Sequence, residues 1–442
     1  MKTNSDEMHN QEMVLKKIRQ SSEVFDKLAN SYEVWVPESG WLAGRRNRDK
    51  NDSKRKNLTD WSILSFLLEI DNCHYPMADS YLQYGIDGVI RIAAETLETL
   101  KNNLQSELQD QTQLDIAYLE SLLHVWKRFR QFVADHMVLA LECVKQETSD
   151  TKKKRYEKIA KICQNLTINK PNTFCEALQL FWFTYLFRSP FGAGCIGRLD
   201  QLLYPFYKHD CEMGIWDQQE AEKMLEEMFT RMNEINTGDT LRNLMLSGQD
   251  AKGNDQTNEI TYLILVAYEN TGGSEPHLNV RFHEKTPKKL RDNCINMLSS
   301  GSGQPTIYFD EAVLPAMEKA GICHEDACQY ANDGCTETVI AGKSAIVFWQ
   351  YEMVKTVELT LFGGNENPCV KPVSMKKNSI HGVDFVPKTN LLIGIESKKT
   401  QELTTFSEFL SAFFEQMDHQ LDHYFLMIKQ KMQQDQTVSI TS

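Results

Sequence analysis

Residues 332–337 read Asn332-Asp333-Gly334-Cys335-Thr336-Glu337, a stretch that places a thiol two positions before a carboxylate. In an extended backbone, side chains two positions apart point to the same side, so Cys335 and Glu337 would face one space. Gly334 has no side chain and lets the chain bend sharply just before the sulfur. The pattern is typical of a nucleophile or radical carrier beside a base, and the surrounding sequence has to distinguish the two.

Two segments before this stretch are patterned as strands. In residues 277–283, Leu278, Val280 and Phe282 alternate with polar residues, and residues 304–310 form a second short segment. The polar face of the 277–283 strand either lines an interior site or is solvated, and the pattern alone leaves both interpretations open. Because strands alternate with helical segments, the sequence predicts an α/β layer or barrel.

Helix starts are marked by capping residues. Thr173 and Glu176 form a capping box before the apolar run Ala177 to Phe187, which predicts a buried helix. Asp217 with Glu220 and Thr405 with Glu408 mark two further helix starts. The last of these helices has a wide apolar stripe that we expect to be buried: Phe409, Leu410, Phe413, Phe414, Met417, Leu421 and Phe425.

Composition narrows the class of protein. The chain has 442 residues, 41% hydrophobic and 25% charged, as in ordinary globular proteins. Its net charge of −13 argues against general nucleic-acid binding. The polar start predicts no signal peptide, and no apolar run is long enough to span a bilayer. Eleven cysteines without a secretory signal predict reduced thiols and a cytoplasmic location.

The domain prediction places one boundary near residue 58. Residues 1–58 are a polar helical N-terminal segment that ends in a basic run, interpreted as a solvated loop. Residues 59–442 contain no linker-like composition or repeat and are assigned to one domain. Cys323, His324 and Cys328 lie close together, but they lack a second matching pair, so no metal site is predicted.

Several segments in a fixed order resemble the glycyl radical enzymes, the pyruvate formate-lyase superfamily. The resemblance covers about residues 70–430. Its segments are the Cys335 hexapeptide, Gly197 to Gln201 followed by Tyr204-Pro205, Pro171 to Gln179, Glu275 to Arg281, and more loosely His74, Asp79 and Gly85 to Ile90.

The resemblance implies radical chemistry in part of a ten-stranded β/α barrel ringed by helices. In that family a separate activase, using S-adenosylmethionine and an iron–sulfur cluster, installs a radical on a C-terminal glycine. That glycyl radical oxidises the cysteine to a thiyl radical, which abstracts hydrogen from a substrate carbon. The oligomeric state is left open, with a homodimer as the family's common arrangement.

Two residues discriminate within the family. Formate acetyltransferases carry two adjacent cysteines, whereas Gly334 precedes Cys335 here, which disfavours acyl transfer. Glu337 matches the eliminating members, which are diol and hydroxyproline dehydratases, choline lyase and isethionate lyase. Some carboxylate-bearing members decarboxylate arylacetates, and Thr336 and Thr338 depart from the commoner pattern, so the substrate stays open.

The resemblance assigns roles to individual residues. Cys335 would abstract hydrogen, and Glu337 would act as the base that takes a proton from a small hydroxylated substrate. His277, Asn279 and Asp310 are the predicted pocket residues. The Arg198 and Asp200 pair of the second segment is expected to hold structure instead.

One alternative lies outside radical chemistry. A cysteine hydrolase would need a histidine beside Cys335, and His324 and His277 are the candidates, although no local signature supports them.

The family's glycyl radical motif is absent from the sequence, so the resemblance predicts a C-terminally truncated member with an incomplete barrel. Three hypotheses follow. The chain is the thiyl-bearing part of an eliminating enzyme that is active only in a full-length form. Alternatively, a separate chain supplies the glycyl radical portion and completes the barrel. In the third, the chain is a non-catalytic remnant or interaction protein.

Overall fold

A computed structural model describes residues 4–45, 80–102, 109–188, 194–234, 242–272, 275–333, 337–344, 353–365, 394–396 and 402–435. The chain divides into two compact units. One comprises residues 1–107 and 116–346, and the other comprises residues 108–115 and 347–442. No helix among the described residues is both long enough and apolar enough to cross a membrane.

The N-terminal half of the described chain is helical. Before the first strand it forms α1 (Asn4–Ser31), α2 (Ser80–Asn102), α3 (Gln109–Gln146), α4 (Asp150–Ile168) and α5 (Phe174–Arg188). The structure confirms that the predicted N-terminal segment contains a helix, α1, but this helix is not a solvated polar segment. Phe25, Leu28 and Ala29 of α1 are buried in the main core of the first unit. The boundary predicted at residue 58 lies outside the described residues.

Helix α5 is the apolar centre of this core, as its sequence predicts. Every residue from Ala177 to Phe187 except Thr184 is buried. The predicted capping box is present, because the Glu176 amide donates to Thr173 Oγ1 at 3.2 Å and the Thr173 amide donates to Glu176 Oε2 at 3.3 Å. The cap satisfies backbone donors that the start of a helix otherwise leaves unpaired.

A parallel sheet with helical crossovers follows. Its strands are β1 (Gly194–Gly197), β2 (Arg242–Ser247), β3 (His277–Phe282) and β4 (Thr306–Phe309), in that order across the sheet. The intervening helices are α6 (Leu199–Met213), α7 (Gln218–Glu234), α8 (Glu259–Thr271) and α9 (Lys288–Ser299). Both predicted strands, β3 and β4, are confirmed, and so is the α/β class.

The two faces of the sheet differ in character. Leu244, Leu246, Leu278 and Val280 point into the main core, where the crossover helices cover them. Residues of opposite parity, such as Met245, belong to a second and smaller cluster of buried side chains. This second face is called the inner face below, because the segment that carries the 332–337 hexapeptide lies against it.

Beyond the sheet the chain continues through α10 (Asp310–Lys319) and the single turn α11 (His324–Ala327). It then forms two very short strands, β5 (Ala331–Asn332) and β6 (Thr338–Val339), which pair antiparallel. The hexapeptide therefore spans the connection of a hairpin, called the β5–β6 hairpin from here on.

The second unit contains α12 (Met353–Leu361) and α13 (Phe406–Asp435). The predicted Thr405–Glu408 cap is present, with the Glu408 amide 3.2 Å from Thr405 Oγ1. The expectation that the apolar stripe of α13 is buried is wrong for Phe414 and Phe425, which are 50% and 64% exposed.

A different row of α13 is buried, at Ala412, Gln416 and Gln420. Gln420 Oε1 accepts a 2.7 Å hydrogen bond from Thr356 Oγ1 of α12, and the Gln416 amide bonds both backbone groups of Ile395. In the described part of this unit, these hydrogen bonds lie on the buried row of α13.

Candidate functional site

The β5–β6 hairpin places Glu337 directly before its second strand, β6. Ala331 pairs with Val339 and Asn332 pairs with Thr338. The Asp333 amide donates a 2.9 Å hydrogen bond to the Glu337 carbonyl, which closes the hairpin. Glu337 is half-buried. Cys335 and its neighbours 334 and 336 lie outside the described residues, so the predicted orientation of its thiol stays a prediction.

The first strand of the hairpin lies against β1 and β2. The Cys195 thiol of β1 donates to the Asn332 carbonyl at 2.9 Å. Cys195 and Met245 are buried with Ala331 and Val339 in one cluster. The hairpin is therefore fixed to the inner face of the sheet by both a hydrogen bond and apolar contact.

Strand register sets polar side chains in rows across the inner face. Residues alternate between faces with a period of two, so His277, Asn279 and Arg281 share the inner face of β3. Asn279 lies beside Thr306 of β4 and Arg281 beside Tyr308. The predicted polar face of the 277–283 segment thus lies on the same side of the sheet as the β5–β6 hairpin.

His277 and Asn279 are two of the predicted pocket residues. Asn279 is buried, and its Nδ2 donates to Asn243 Oδ1 of β2 at 2.8 Å. The Asn243 Nδ2 group is buried and has no hydrogen-bond partner among the described residues. His277 is half-buried, and burial lowers its pKa, which favours the neutral imidazole at neutral pH. These side chains of β2 and β3 offer neutral donors and acceptors on the inner face of the sheet.

Asp310, the third predicted pocket residue, is fully buried at the start of α10. Its Oδ1 accepts from Arg281 Nε at 2.8 Å and from the Tyr330 hydroxyl at 3.0 Å. Its Oδ2 accepts from Arg281 Nη2 at 2.8 Å and from the Gln249 amide at 3.0 Å. Protein groups therefore engage both oxygens, and contact with substrate stays a prediction for this residue.

Arg198 and Asp200 hold structure, and both act on the end of β2. Asp200 Oδ2 accepts from the Ser247 amide and the Thr261 hydroxyl, each at 2.8 Å. Arg198 Nη2 donates to the Ser247 carbonyl at 2.9 Å. Ser247 has a φ of 61°, a left-handed conformation that side chains rarely adopt, and the two bonds hold it there.

Tyr308 is a residue of this site that the sequence analysis did not select. It is half-buried on β4 and packs against the cluster that holds the hairpin. Burial raises the pKa of Tyr308, a hydrogen bond with Asn332 of β5 opposes the rise, and the Glu337 carboxylate adds to it. The net direction is upward, so the hydroxyl keeps its proton at neutral pH. The sequence did contain a signal for Tyr308. Because side chains alternate along the predicted strand, Tyr308 lies on the opposite face from Ile307, which is the face that carries the polar residues of β3.

The thiols near α11 form no metal centre among the described residues, where no group of three metal-binding side chains occurs. His324 Nδ1 lies 2.6 Å from Glu318 Oε1, and its Nε2 lies 3.6 Å from the Cys328 sulfur. Burial raises the pKa of the Cys328 thiol, so it is kept protonated and a poor nucleophile.

The sequence matches the model of the Pyruvate formate lyase-like family over residues 72–439, most of its length. The chain belongs to the pyruvate formate lyase-like family. Trans-4-hydroxy-L-proline dehydratase of Clostridioides difficile is 31% identical over 301 residues, which cover 64% of this chain and 36% of that relative. The chain thus spans about a third of the length of this curated relative.

Solved structures of the family show the same fold. The B12-independent glycerol dehydratase from Clostridium butyricum superposes with a TM-score of 0.72 at 20% identity, covering 94% of this chain and 60% of that structure. A glycyl radical enzyme from Archaeoglobus fulgidus superposes with a TM-score of 0.72 at 18% identity, covering 98% and 63%. The four described parallel strands are therefore part of the family's β/α barrel, as the resemblance implies.

Proposed function

We propose that this pyruvate formate lyase-like chain serves a radical lyase or dehydratase, with Cys335 as the hydrogen-abstracting residue and Glu337 as the base. The observation that carries the proposal is the position of Glu337. It stands at the base of the β5–β6 hairpin, on the side of the sheet where β3 and β4 present neutral polar side chains. Family members that resemble this chain include a dehydratase of a hydroxylated amino acid.

The substrate would lie on the inner face of the sheet beside the hairpin. His277, Asn279 and Asn243 supply neutral hydrogen-bonding groups to hydroxyls, and the Asn243 Nδ2 donor has capacity for such a partner. Tyr308 keeps its proton and stands near Glu337. A small molecule with a hydroxyl on the reacting carbon matches this set of donors and acceptors.

Cys335 and Glu337 can carry out the proposed reaction in the following steps. A thiyl radical at Cys335 takes a hydrogen atom from the hydroxyl-bearing carbon, so an S–H bond forms and a C–H bond breaks. Glu337 takes the hydroxyl proton, and the neighbouring leaving group departs with its bonding electron pair. A departing hydroxide leaves as water with the proton that Glu337 has taken. The resulting carbonyl-stabilised radical recovers hydrogen from Cys335.

The family's glycyl radical supplies the oxidising equivalent that generates the thiyl radical, after activation by a radical S-adenosylmethionine activase. For this chain both the activase and the source of the glycyl radical are proposed partners. The source is either a full-length form or a separate chain. What the described residues do is hold the hairpin and orient the hydroxyl that Glu337 deprotonates.

Anaerobic activation tests the proposal. The chain is treated with an activase, alone and with a chain that carries a glycyl radical segment, and examined by electron paramagnetic resonance. Propane-1,2-diol, trans-4-hydroxy-L-proline and isethionate are then assayed for elimination products. The proposal expects product from at least one of them and none from Cys335→Ser. A preparation that shows the radical signal but yields no product from any of them would contradict it.

A further inference from the structure

Two buried guanidinium groups converge on one backbone carbonyl just before the β5–β6 hairpin. Arg198 Nη1 donates to the Cys328 carbonyl at 3.1 Å, and Arg281 Nη1 donates to the same carbonyl at 2.9 Å. The residues that follow lead directly into β5. Arg198 also donates to the Ser247 carbonyl of β2, so the two arginines tie the segment that precedes the hairpin to the ends of two strands.

The Arg281 guanidinium is the centre of a closed set of contacts. It binds the Asp310 carboxylate through two hydrogen bonds of 2.8 Å and lies 4.1 Å from the centre of the Tyr330 ring. The Tyr330 hydroxyl donates to the same carboxylate. All three side chains are fully buried. The cluster of Arg281, Asp310 and Tyr330 therefore joins β3, α10 and the entry to the hairpin.

The free energy of burying these charged groups indicates that the cluster orients the chain more than it stabilises the fold. Removing a guanidinium and a carboxylate from water is costly, and a buried ion pair often stabilises a fold no more than apolar side chains would. Burial, together with the charge of Arg281, lowers the pKa of Arg198 to about 10, so placing the two cations side by side is unfavourable. What the arrangement provides is direction, because a bidentate pair accepts only a narrow range of orientations.

The hairpin transmits this position to Glu337. Beyond Tyr330, the Asn332 carbonyl accepts from the Cys195 thiol, and Asn332 pairs with Thr338 beside Glu337. The Asp333 amide then bonds the Glu337 carbonyl. A shift at residues 328–330 would therefore move both strands of the hairpin together.

We propose that Arg281 and Asp310 are positioning residues that fix the β5–β6 hairpin, and with it Glu337, against the inner face of the sheet. The inference gives Asp310 a role other than substrate contact. Its catalytic meaning rests on the proposed function, whereas the positioning itself is measurable without turnover.

Hydrogen–deuterium exchange of the intact chain tests the positioning. In Asp310→Asn the carboxylate charge is lost, and we expect exchange in residues 328–333 and 337–340 to rise about 10-fold, because local opening no longer breaks an ion pair. Glu227→Gln is the matched control, since Glu227 also pairs with a buried arginine, Arg231, in the same unit. It should raise exchange at Trp41 and Leu42, whose backbone amides donate hydrogen bonds to the Glu227 carboxylate, and leave exchange at the hairpin unchanged.

A second readout follows the position of Glu337 itself. Burial and the Glu337 carboxylate raise the pKa of Tyr308, and a hydrogen bond with Asn332 of β5 lowers it, so displacement of the hairpin should change this pKa, as measured by carbon-13 NMR of labelled tyrosine. A residue that merely stabilises the fold would leave this pKa unchanged in the folded protein. The Tyr308 pKa should change in Asp310→Asn and stay constant in Glu227→Gln.

Tyr330→Phe provides a second test if the Asp310→Asn variant does not fold. It removes only the hydroxyl that donates to Asp310, and we expect a rise of about 3-fold in hairpin exchange, equivalent to one weak hydrogen bond. Exchange that is unchanged at the hairpin in Tyr330→Phe, or that rises equally throughout the unit, overturns the proposal. If the variants show the predicted exchange pattern but the activated unsubstituted chain has no elimination activity, only the proposed function would be overturned.

Discussion

Charged side chains at this site are buried only where the protein supplies a partner for each of them. Asp310 has Arg281, and Asp200 has the Ser247 amide and the Thr261 hydroxyl. An unpaired charge in such surroundings would shift its protonation or destabilise the fold. Glu337 is half-buried and lies directly before β6. We propose it as the carboxylate that exchanges a proton with substrate.

Replacing Glu337 by glutamine tests that assignment. Glutamine keeps the size of the side chain but cannot accept a proton, so we expect kcat to fall about 100-fold or more, the usual contribution of a general base. Glu318→Gln is the matched control, since Glu318 is a carboxylate in the same unit that contacts His324 instead. Steady-state kinetics of the activated protein make the comparison. A Glu337→Gln variant with the activity of the Glu318→Gln control would remove the base from the mechanism.

His136 gives a prediction about stability against pH. It is fully buried, its Nδ1 lies 2.8 Å from the Phe132 carbonyl, and burial lowers its pKa to about 4. In the unfolded chain histidine has a pKa of about 6.5. Above that value both states are neutral and the group has no effect. Between about 6.5 and 4 the unfolded chain alone binds the proton, so the fold loses about 3 kcal/mol as the pH falls through this window.

The measurement is urea denaturation of the wild type and His136→Leu at pH 7.5 and at pH 4.5. Leucine cannot bind a proton, so the variant should lose less stability on acidification than the wild type does. The difference between the two losses isolates His136 from the other titrating groups. Equal losses would mean that the imidazole is not kept neutral by the core.

Among the helices, α2 depends on a glycine. Gly85 has a φ of 71° within α2, and a Cβ at that position would lie 2.7 Å from the Lys170 Cα. Gly214, which ends α6, has a similar φ of 66°, but a Cβ added there would meet no heavy atom within 4 Å. The pair therefore separates backbone strain from close packing.

We expect Gly214→Ala to cost about 1 kcal/mol, the penalty for a left-handed residue with a side chain. Gly85→Ala should cost about 3 kcal/mol, because the collision with the α4–α5 connection adds to the same strain. Chemical denaturation of both variants measures the difference. Equal costs would show that the backbone around Lys170 moves aside without penalty.

Local elements were predictable because their signals are local. The capping boxes at Thr173 and Asp217 and the alternation of β3 require only neighbouring residues, and the structure confirms each of them. The face of α13 was not predictable, because the buried row at Gln416 and Gln420 depends on hydrogen bonds to distant segments. Hydrophobic periodicity alone cannot predict such distant hydrogen-bond partners.

The site shows the same division. The sequence predicted that His277 and Asn279 lie on one face of a strand, because side chains alternate between the two faces with a period of two residues. It did not reveal that Arg198 and Arg281 meet at the Cys328 carbonyl, since 130 and 47 residues separate the partners. Tyr308 was missed although its parity was available, because its proximity to Glu337 arises only when the hairpin folds back on the sheet.

At the scale of the whole molecule, the family match covers residues 72–439 while the chain spans about a third of its curated relative's length. The fold of the described sheet is shared with solved glycyl radical enzymes. Activity, substrate and partners remain proposals, because the relatives act through longer chains. The two compact units, the inner face and the hairpin are what this chain contributes.

One measurement tests the central claim that Cys335 abstracts hydrogen from a substrate carbon. The anaerobically activated protein is given propane-1,2-diol with deuterium at C1, or isethionate with deuterium at its hydroxyl-bearing carbon, and product formation is followed beside that from unlabelled substrate. We expect slower turnover of the labelled molecule and no product from Cys335→Ser. Equal rates for both isotopic forms, together with undiminished turnover in Cys335→Ser, would contradict it.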